Sequence, residues 1–431
     1  MEGFEKLSLR KEIMDALKEM GFNEPTDVQS KTIPVVLEGK DVVVRSKTGS
    51  GKTAAFLIPI LQSMQHDSRG VQALVIAPTR ELAVQIEGVA RKMTKFIGIR
   101  TTVVYGGVSI VPQAERIRNG AKLVVGTPGR IIDLMERGQL SVASLRFLVL
   151  DEADIMLDMG FIDDIRYILD KTPPKKQTML FSATMPAKIV EMAREYLNEG
   201  VNVGVGEEEN LAVTSIENLY TVVEASYKFS MLLAYLDQYK PTKSVVFVRT
   251  QRSADIVYRI VRAQGFNPVL LHGGITQARR EVAMSAFRKN QSGMLIATNV
   301  AARGIDITDI SDIINFDAPD DPTVYIHRIG RSARMGRNGR AFTIFNRDQH
   351  GLIGAIERFA GVQLRKIVLD NRKFSNINYG EHIRASVGYR ERGPRRWEER
   401  GHDEHRQGHG GYGRGHQRHG RFRPQHQRRS Y

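Results

Sequence analysis

This sequence predicts an α/β protein: two successive domains, each an open parallel sheet covered by helices, followed by a basic segment of different composition. Three observations predict it. Short β-branched runs alternate with helix-length amphipathic stretches, the pattern of crossover units on a buried parallel sheet. The alternation stops at an acidic, polar patch over 206–210 and then restarts with a second set of runs. From residue 384 onward aliphatic side chains almost vanish while arginine, glycine and histidine accumulate. At 431 residues the chain is also too long for one ordinary core. These shifts place a first domain over 1–205, a linker over 206–212 and a second domain from 213, with a basic, largely disordered tail at the end of the chain.

The expected strands of the first domain are, in order, DVVVRS from 41, QALVIAP from 72, RTTVVYG from 100, AKLVVGT from 121, LRFLVLDEAD from 145 and QTMLFSAT from 177. The second domain repeats the plan with SIENLYTVVE from 215, SVVFVRT from 244, NPVLLHG from 267, GMLIATN from 293, SDIINFD from 311 and GRAFTIFNR from 339. Open sheets of this kind bind ligands beyond the carboxyl ends of their strands, so chemistry is expected just after each run.

Composition narrows the function. Apolar residues at 41% and charged residues at 26% are globular values. No run of eighteen apolar residues occurs, and the opening MEGFEKLSLRKEIMDAL carries acids where a signal peptide needs a basic and then an apolar stretch. The expectation is a chain that neither is secreted nor spans a membrane. The absence of cysteine excludes a disulfide framework, a thiol nucleophile and a cysteine zinc site, and fits a reducing cytoplasm. Lysine and arginine number 63 against 48 acids, an excess of 15 that predicts a polyanionic partner, nucleic acid ahead of an anionic membrane. Residues 384–431 hold 13 arginines, five acids and six of the eleven histidines, a net of +8; the other 383 residues carry +7.

Directly after the strand DVVV comes Ser46-Lys47-Thr48-Gly49-Ser50-Gly51-Lys52-Thr53, leading into the helix-forming AAFLIPIL. A glycine loop opening a helix surrounds phosphates with backbone N–H groups; Lys52 would neutralise them and Thr53 would reach a Mg²⁺ ion. Taken alone, the segment also reads as a glycine-rich turn into a helix, and the general pattern asks for glycine where Ser46 stands. About a hundred residues on, the strand LVL delivers Asp151-Glu152-Ala153-Asp154. Such a strand end supplies a phosphate site with its metal-holding carboxylate, Asp151, and Glu152 can face an attacking water. Acids in a helix's first turn are the plainer reading, which the glycine loop outweighs.

GSGKT, then DEAD, then Ser182-Ala183-Thr184 resembles the DEAD-box RNA helicase family, and the likeness runs over roughly residues 4–370 with nearly every family motif in order. The end of that likeness sets the boundary between the second domain, 213–370, and the tail, 371–431. The resemblance implies two RecA-like domains joined by a linker, with ATP, Mg²⁺ and RNA bound between them. It implies an adenine-reading motif over 21–29, with Phe22, Thr26 and Gln29, and Phe4 at the upstream aromatic position. It makes Glu152, Lys52, Asp151, Arg331 and Arg334 catalytic, the two arginines reaching the γ-phosphate from the second domain. Gly304 and Asp306 would approach the nucleotide. An RNA track, contacting mainly backbone, is implied over Pro78, Thr79, Arg80, Gly107, Thr127, Gly129 and Arg130 in the first domain. Its second half is Arg249, Thr250, Gly273, Gly274, Thr298 and Arg303, in blocks that also hold His272, Gln277 and Arg280. Asp154, Ser182, Thr184 and His327 would couple the nucleotide and RNA sides. His327, Arg331 and Arg334, at i, i+4 and i+7, would share one helix face. Two positions depart from the family pattern: Asn299 replaces an aspartate, keeping a hydrogen bond where an ionic contact is lost, and Ala333 replaces a glycine.

The function implied is ATP-dependent local unwinding of short RNA duplexes, or remodelling of RNA–protein complexes, with hydrolysis permitting release. Two other readings stay open at this point. One is an RNA-annealing protein working through its tail with a vestigial ATPase; the other is a DNA helicase or translocase sharing the phosphate site. The tail, with Tyr389, Trp397, Tyr412 and Phe422 among its arginines and glycines, reads as an RNA-gripping segment or as a purely solvating extension.

Overall fold

A computed structural model of the chain describes residues 3–46, 49–66, 68–204, 216–289, 292–302, 310–330, 339–377 and 379–380. The expected linker and residues 381–431 lie outside them. Both sheets belong to one compact unit.

The first sheet is made of β1 (Val42–Arg45), β2 (Ala73–Ile76), β3 (Thr101–Val104), β4 (Leu123–Gly126), β5 (Phe147–Leu150), β6 (Gln177–Ser182) and β7 (Val201–Gly204), in the order β3-β4-β2-β5-β6-β1-β7. The second is made of β8 (Ile216–Val223), β9 (Ser244–Val248), β10 (Pro268–Leu271), β11 (Met294–Thr298), β12 (Asp312–Asn315), β13 (Gly339–Asn346) and β14 (Arg365–Lys366), in the order β10-β11-β9-β12-β13-β8-β14. Adding seven to each strand number turns the first order into the second, so the repeated plan expected from the sequence is a repeated topology. All pairings in both sheets are parallel.

The strands are continuous apolar runs because both faces of each sheet are covered. Alternate residues serve opposite cores: Val42, Val44, Ala73, Val75, Phe147 and Val149 pack on one side, and Leu74, Ile76, Leu148, Leu150 and Leu180 on the other. Helices α1 (Lys11–Glu19), α2 (Asp27–Leu37), α3 (Lys52–Ser63) and α4 (Arg80–Met93) cover the first side. Helices α5 (Val111–Arg118), α6 (Pro128–Glu136), α7 (Ala153–Asp158), α8 (Ile162–Lys171) and α9 (Ala187–Tyr196) cover the second. The other domain adds α10 (Lys228–Tyr239), α11 (Gln251–Ala263), α12 (Gln277–Arg288), α13 (Asn299–Ala302), α14 (Pro322–Ile329) and α15 (His350–Ala360). Among the described residues no helix is long and apolar enough to cross a membrane.

Two features differ from the sequence reading. The edge strands β7 and β14 carry too little apolar signal to be expected. The boundary expected at 370 also falls short of the packed chain: Phe374 is buried in the second domain's core, Tyr379 stacks on Phe229 at 5.4 Å, and Asn371 Nδ2 donates to Ser230 Oγ at 2.9 Å. Single aromatic residues on an irregular segment show no periodicity, and these lie past the end of the family likeness at 370, which is why the sequence reading assigns them to the tail.

Candidate active site

The glycine loop leaves the carboxyl end of β1 and opens α3. Gly49 and Gly51 have φ of 85° and 98°, a region that side chains other than glycine's rarely enter. At Gly51 a Cβ would also lie 2.5 Å from Gln29 Nε2 and 2.8 Å from Thr26 Oγ1. The close approach has a purpose. Thr26 and Gln29 form a capping box at the start of α2, with Gln29 Oε1 accepting from Thr26 N at 3.0 Å while its Nε2 donates to Gly51 O at 3.1 Å. Buried Gln29 thereby straps the phosphate loop to α2. Buried Lys52 donates to Ser46 O at 3.0 Å, Ser46 N donates to Ser182 O at 2.9 Å, and the Ser46 and Ser50 hydroxyls are bonded to each other. Thr53 follows in the first turn of α3, partly exposed. Thr48 lies outside the described residues.

The carboxylates sit two strands away. With the order β5-β6-β1, Ser182 at the end of β6 lies between the loop after β1 and Asp151 after β5. Asp151, Glu152 and Asp154 are each 2% exposed. Burial, reinforced by the neighbouring Glu152 and Asp154, pushes the Asp151 carboxyl up to about 6 against the opposing pull of Lys52 and the Glu152 N–H. Glu152 holds φ 52° and ψ 52°, a left-handed conformation rare for a residue with a side chain. Asp154 is the hub. Its Oδ2 accepts from Thr184 N at 2.8 Å and Thr184 Oγ1 at 2.9 Å, and its own N–H donates to Ser182 Oγ at 3.2 Å. His327 Nε2, on the last turn of α14 in the second domain, stands 3.7 Å from the same Oδ2. The four residues assigned to coupling therefore meet around one carboxylate.

A second bridge joins the domains at residues of the expected RNA track. Thr79 caps α4 by accepting from Leu82 N at 3.3 Å, which places Arg80 and Glu81 in its first turn. Arg80 Nη1 donates to Gln277 Oε1 at 3.2 Å, and Arg280 Nη2 lies 2.8 Å from Glu81 Oε1 with both side chains largely buried. Pro78 is buried beside them, and Thr127 starts α6 with Gly129 exposed on its first turn. In the second domain Thr250 caps α11, accepting from Ser253 N at 3.0 Å. His272 Nδ1 accepts from Gly274 N at 3.0 Å, which fixes the exposed Gly273–Gly274 turn. Arg249 pairs with Asp320 at 2.6 Å, and Thr298 is buried at the end of β11.

Several residues take places other than those expected. Phe4, 2% exposed, is a core residue of the first domain, and Phe22 packs partly buried against the same core, so Phe4 offers almost no ring surface to a base. Arg130 braces a neighbouring loop through Nη2 to Val108 O at 2.9 Å and lies 3.6 Å from Asp133 through Nε, while its buried Nη1 has no hydrogen-bond partner among the described residues. Helix α14 runs to Ile329 with Gly330 as its cap, and beyond His327 the helical face expected for His327, Arg331 and Arg334 lies outside the described residues. Arg331, Arg334, Ala333, Arg303, Gly304 and Asp306 lie outside the described residues. Asn299 keeps the hydrogen bond expected of an amide: its Oδ1 accepts from Arg328 Nε at 2.8 Å. Arg328, buried and 5.0 Å from the Phe247 ring, also reaches Asn315 Oδ1 and Asp317 O, each at 2.8 Å. Neither this arginine nor the Glu81–Arg280 pair was assigned a role from the sequence, because a basic residue on a helix reads equally well as a solvated one.

Two parallel sheets of one plan, a glycine loop carrying Lys52 and Thr53, and buried carboxylates beside it define the class: a P-loop nucleoside triphosphatase built from two RecA-like domains. The comparisons narrow it. Residues 26–193 match the DEAD/DEAH box helicase family model, and residues 227–336 the helicase conserved C-terminal domain. The DEAD-box ATP-dependent RNA helicase CshA of Geobacillus kaustophilus (strain HTA426) is 42% identical over 358 residues, 83% of this chain and 76% of that protein. CshA of Bacillus subtilis (strain 168) is 40% identical over 355 residues, 82% and 72% of the two chains. Among solved structures, S. cerevisiae Dbp5 bound to RNA and ADP-BeF3 matches with a TM-score of 0.77 at 29% identity, over 90% of this chain and 99% of that one. This chain belongs to the DEAD-box ATP-dependent RNA helicases.

Proposed function

We propose that this protein binds ATP and RNA at the carboxyl ends of its two sheets, separates short RNA duplexes or remodels RNA–protein complexes locally, and hydrolyses ATP to release the RNA. The observation that carries the reading is the Asp154 hub, where the acidic strand end, the Ser182–Thr184 segment and His327 of the second domain share one carboxylate. A change at the nucleotide is felt there by residues of both domains.

A carboxyl raised to about 6 beside two further buried carboxylates is a site short of positive charge, and its donors are hard oxygens. That fits Mg²⁺, which would supply charge neutralisation at the phosphates, held by Thr53 and, through water, by Asp151. Lys52 would leave Ser46 O for the β- and γ-phosphates, in a loop whose glycines keep its N–H groups accessible. Glu152 orients and polarises the attacking water. Arg331 and Arg334 are assigned the γ-phosphate by their place in the family motif. Gln29 reads adenine in this proposal while remaining a strut to Gly51, so nucleotide identity and loop geometry are linked. A cytoplasmic setting belongs to the same proposal, supported by the absence of cysteine.

The deciding experiment compares ATPase stimulation by single-stranded RNA and single-stranded DNA of equal length and sequence, with strand separation of a short duplex in parallel. Stimulation and unwinding with RNA alone are expected. Equal stimulation by DNA would move the protein to the translocase reading, and ATP-independent annealing as the sole activity would move it to the tail-driven one.

A further inference from the structure

The loop over 105–109 joins β3 to α5 and carries Gly106 and Gly107 on the rim of the first sheet, with 107–109 exposed. Three of its carbonyls, those of Tyr105, Val108 and Ser109, accept from side chains. Gln113, in the first turn of α5 and 4% exposed, accepts from Tyr105 N at 3.0 Å through Oε1. Its Nε2 donates to Tyr105 O and to Ser109 O, both at 3.2 Å. One carboxamide thus ties the two ends of the loop together, and Arg130 Nη2 holds the middle through Val108 O at 2.9 Å. Gly107 has φ of 83° and lies so close to the Arg80 guanidinium that a Cβ there would meet Nη1 at 2.3 Å. Among the described residues, no protein acceptor pairs with the N–H groups of Gly106, Gly107 and Val108. Successive N–H groups without a protein acceptor make a concavity for an anion.

We propose that Gln113 is a positioning residue for RNA: it holds the 105–109 loop so that the amides of Gly106, Gly107 and Val108 face a phosphate of the bound strand. The proposal rests on the RNA-binding reading above and adds to it the residue that sets the geometry of the first domain's glycine turn. At 4% exposed, Gln113 acts through the loop and touches no RNA itself. Losing its three bonds leaves every charged group of the track in place but frees the amides to turn away.

The test is the RNA-stimulated ATPase of the full chain, titrated with a single-stranded RNA oligonucleotide at saturating ATP and with ATP at saturating RNA. Gln113→Met fills the same volume and makes none of the three bonds. Its RNA half-saturation should rise about tenfold, the scale of one or two net hydrogen bonds, while the ATP KM moves less than about twofold. Gln113→Glu provides the second variant. It still accepts from Tyr105 N but sets an anionic oxygen against two carbonyls, so at neutral pH it should bind RNA at least as poorly as the methionine variant. As pH falls into the glutamate titration range the acid regains one donor, and RNA half-saturation should then improve relative to Gln113→Met at the same pH. Wild-type half-saturation in both variants, or RNA and ATP constants rising in step, would overturn the proposal. Absence of RNA stimulation in the unmodified chain would instead sink the helicase reading itself.

Discussion

Glu152 combines burial, a left-handed backbone and a carboxylate at the end of an apolar strand. Strain of this kind, on the order of 1 kcal/mol or more, persists where the surroundings over-determine a residue, and an attacking water needs such a fixed base. Glu152→Gln keeps the volume and the backbone but cannot take a proton. ATP and RNA binding should survive in it while turnover falls on the order of a thousandfold; steady-state hydrolysis at the wild-type rate would remove Glu152 from the role. Asp151 allows a different measurement. Its carboxyl is raised from 3.8 to about 6, so the folded state holds this proton more tightly than the unfolded chain does. Stability therefore falls as pH rises between those two values, and above about pH 6 the buried charge is a net cost to folding. Asp151→Asn removes that cost. Without nucleotide, the variant should melt higher than wild type at about pH 7.5, and the difference should shrink as pH falls toward about 4, while ATP hydrolysis is lost. A constant difference across that range would mean that the cluster titrates elsewhere.

At the scale of elements, the phosphate loop is only as well placed as α2 makes it. Gln29 serves the helix and the loop at once, through Thr26 N on one side and Gly51 O on the other. Gln29→Ala should therefore lose about 1 kcal/mol of capping stability and also raise the ATP KM, and both effects can be read from thermal unfolding and nucleotide titration of one sample. Gly51→Ala should be worse for ATP, since the added methyl meets Gln29 and Thr26 in a backbone conformation alanine avoids. Normal ATP affinity in Gly51→Ala would show that the strap is not what shapes the loop. The contrast with Asn299 is instructive: there the substituted residue keeps its bond to Arg328, so the departure from the family pattern leaves α13 and α14 tied.

Across the whole molecule, catalysis is an assembly problem, and the Glu81–Arg280 pair is one place where assembly can be measured. Glu81→Arg alone sets like charges face to face in a largely buried position and should cut RNA-stimulated ATPase by about tenfold or more. Combining it with Arg280→Glu should restore a substantial part of the loss. Strict additivity of the two changes would mean that the contact carries no coupling. The chain's end offers a second test. Truncation after Asp370 removes Phe374 and Tyr379 from the second domain's core and should cost at least about 2 kcal/mol of stability. Truncation after Ile383 spares that packing and deletes 13 arginines and six histidines. It should leave the melting temperature unchanged, weaken RNA binding and flatten its salt dependence, because fewer counterions are released per complex. An unchanged salt slope would assign the tail a solvating role.

The strand runs, their repeated order and the phosphate loop were legible in the sequence because each depends on local signals: buried parallel strands are continuous apolar runs, and a loop that wraps phosphates needs glycine where φ is positive. The same holds for Asp151 and Asp154, which follow a strand whose composition announces it. What the sequence left undetermined is where polar side chains spend their hydrogen bonds. Gln29 and Arg130 read as surface residues or ligand contacts and Gln113 carried no signal at all, yet folding commits each of them to a backbone atom 22, 22 and up to 8 residues away. Phe4 and Phe374 were misplaced for the related reason that burial of a single ring is decided by what packs over it. Hydrophobic periodicity is written along the chain, whereas a buried hydrogen bond requires two segments to meet. Only the tertiary structure could decide that Asp154 would sit among Ser182, Thr184 and His327, residues 28, 30 and 173 positions away.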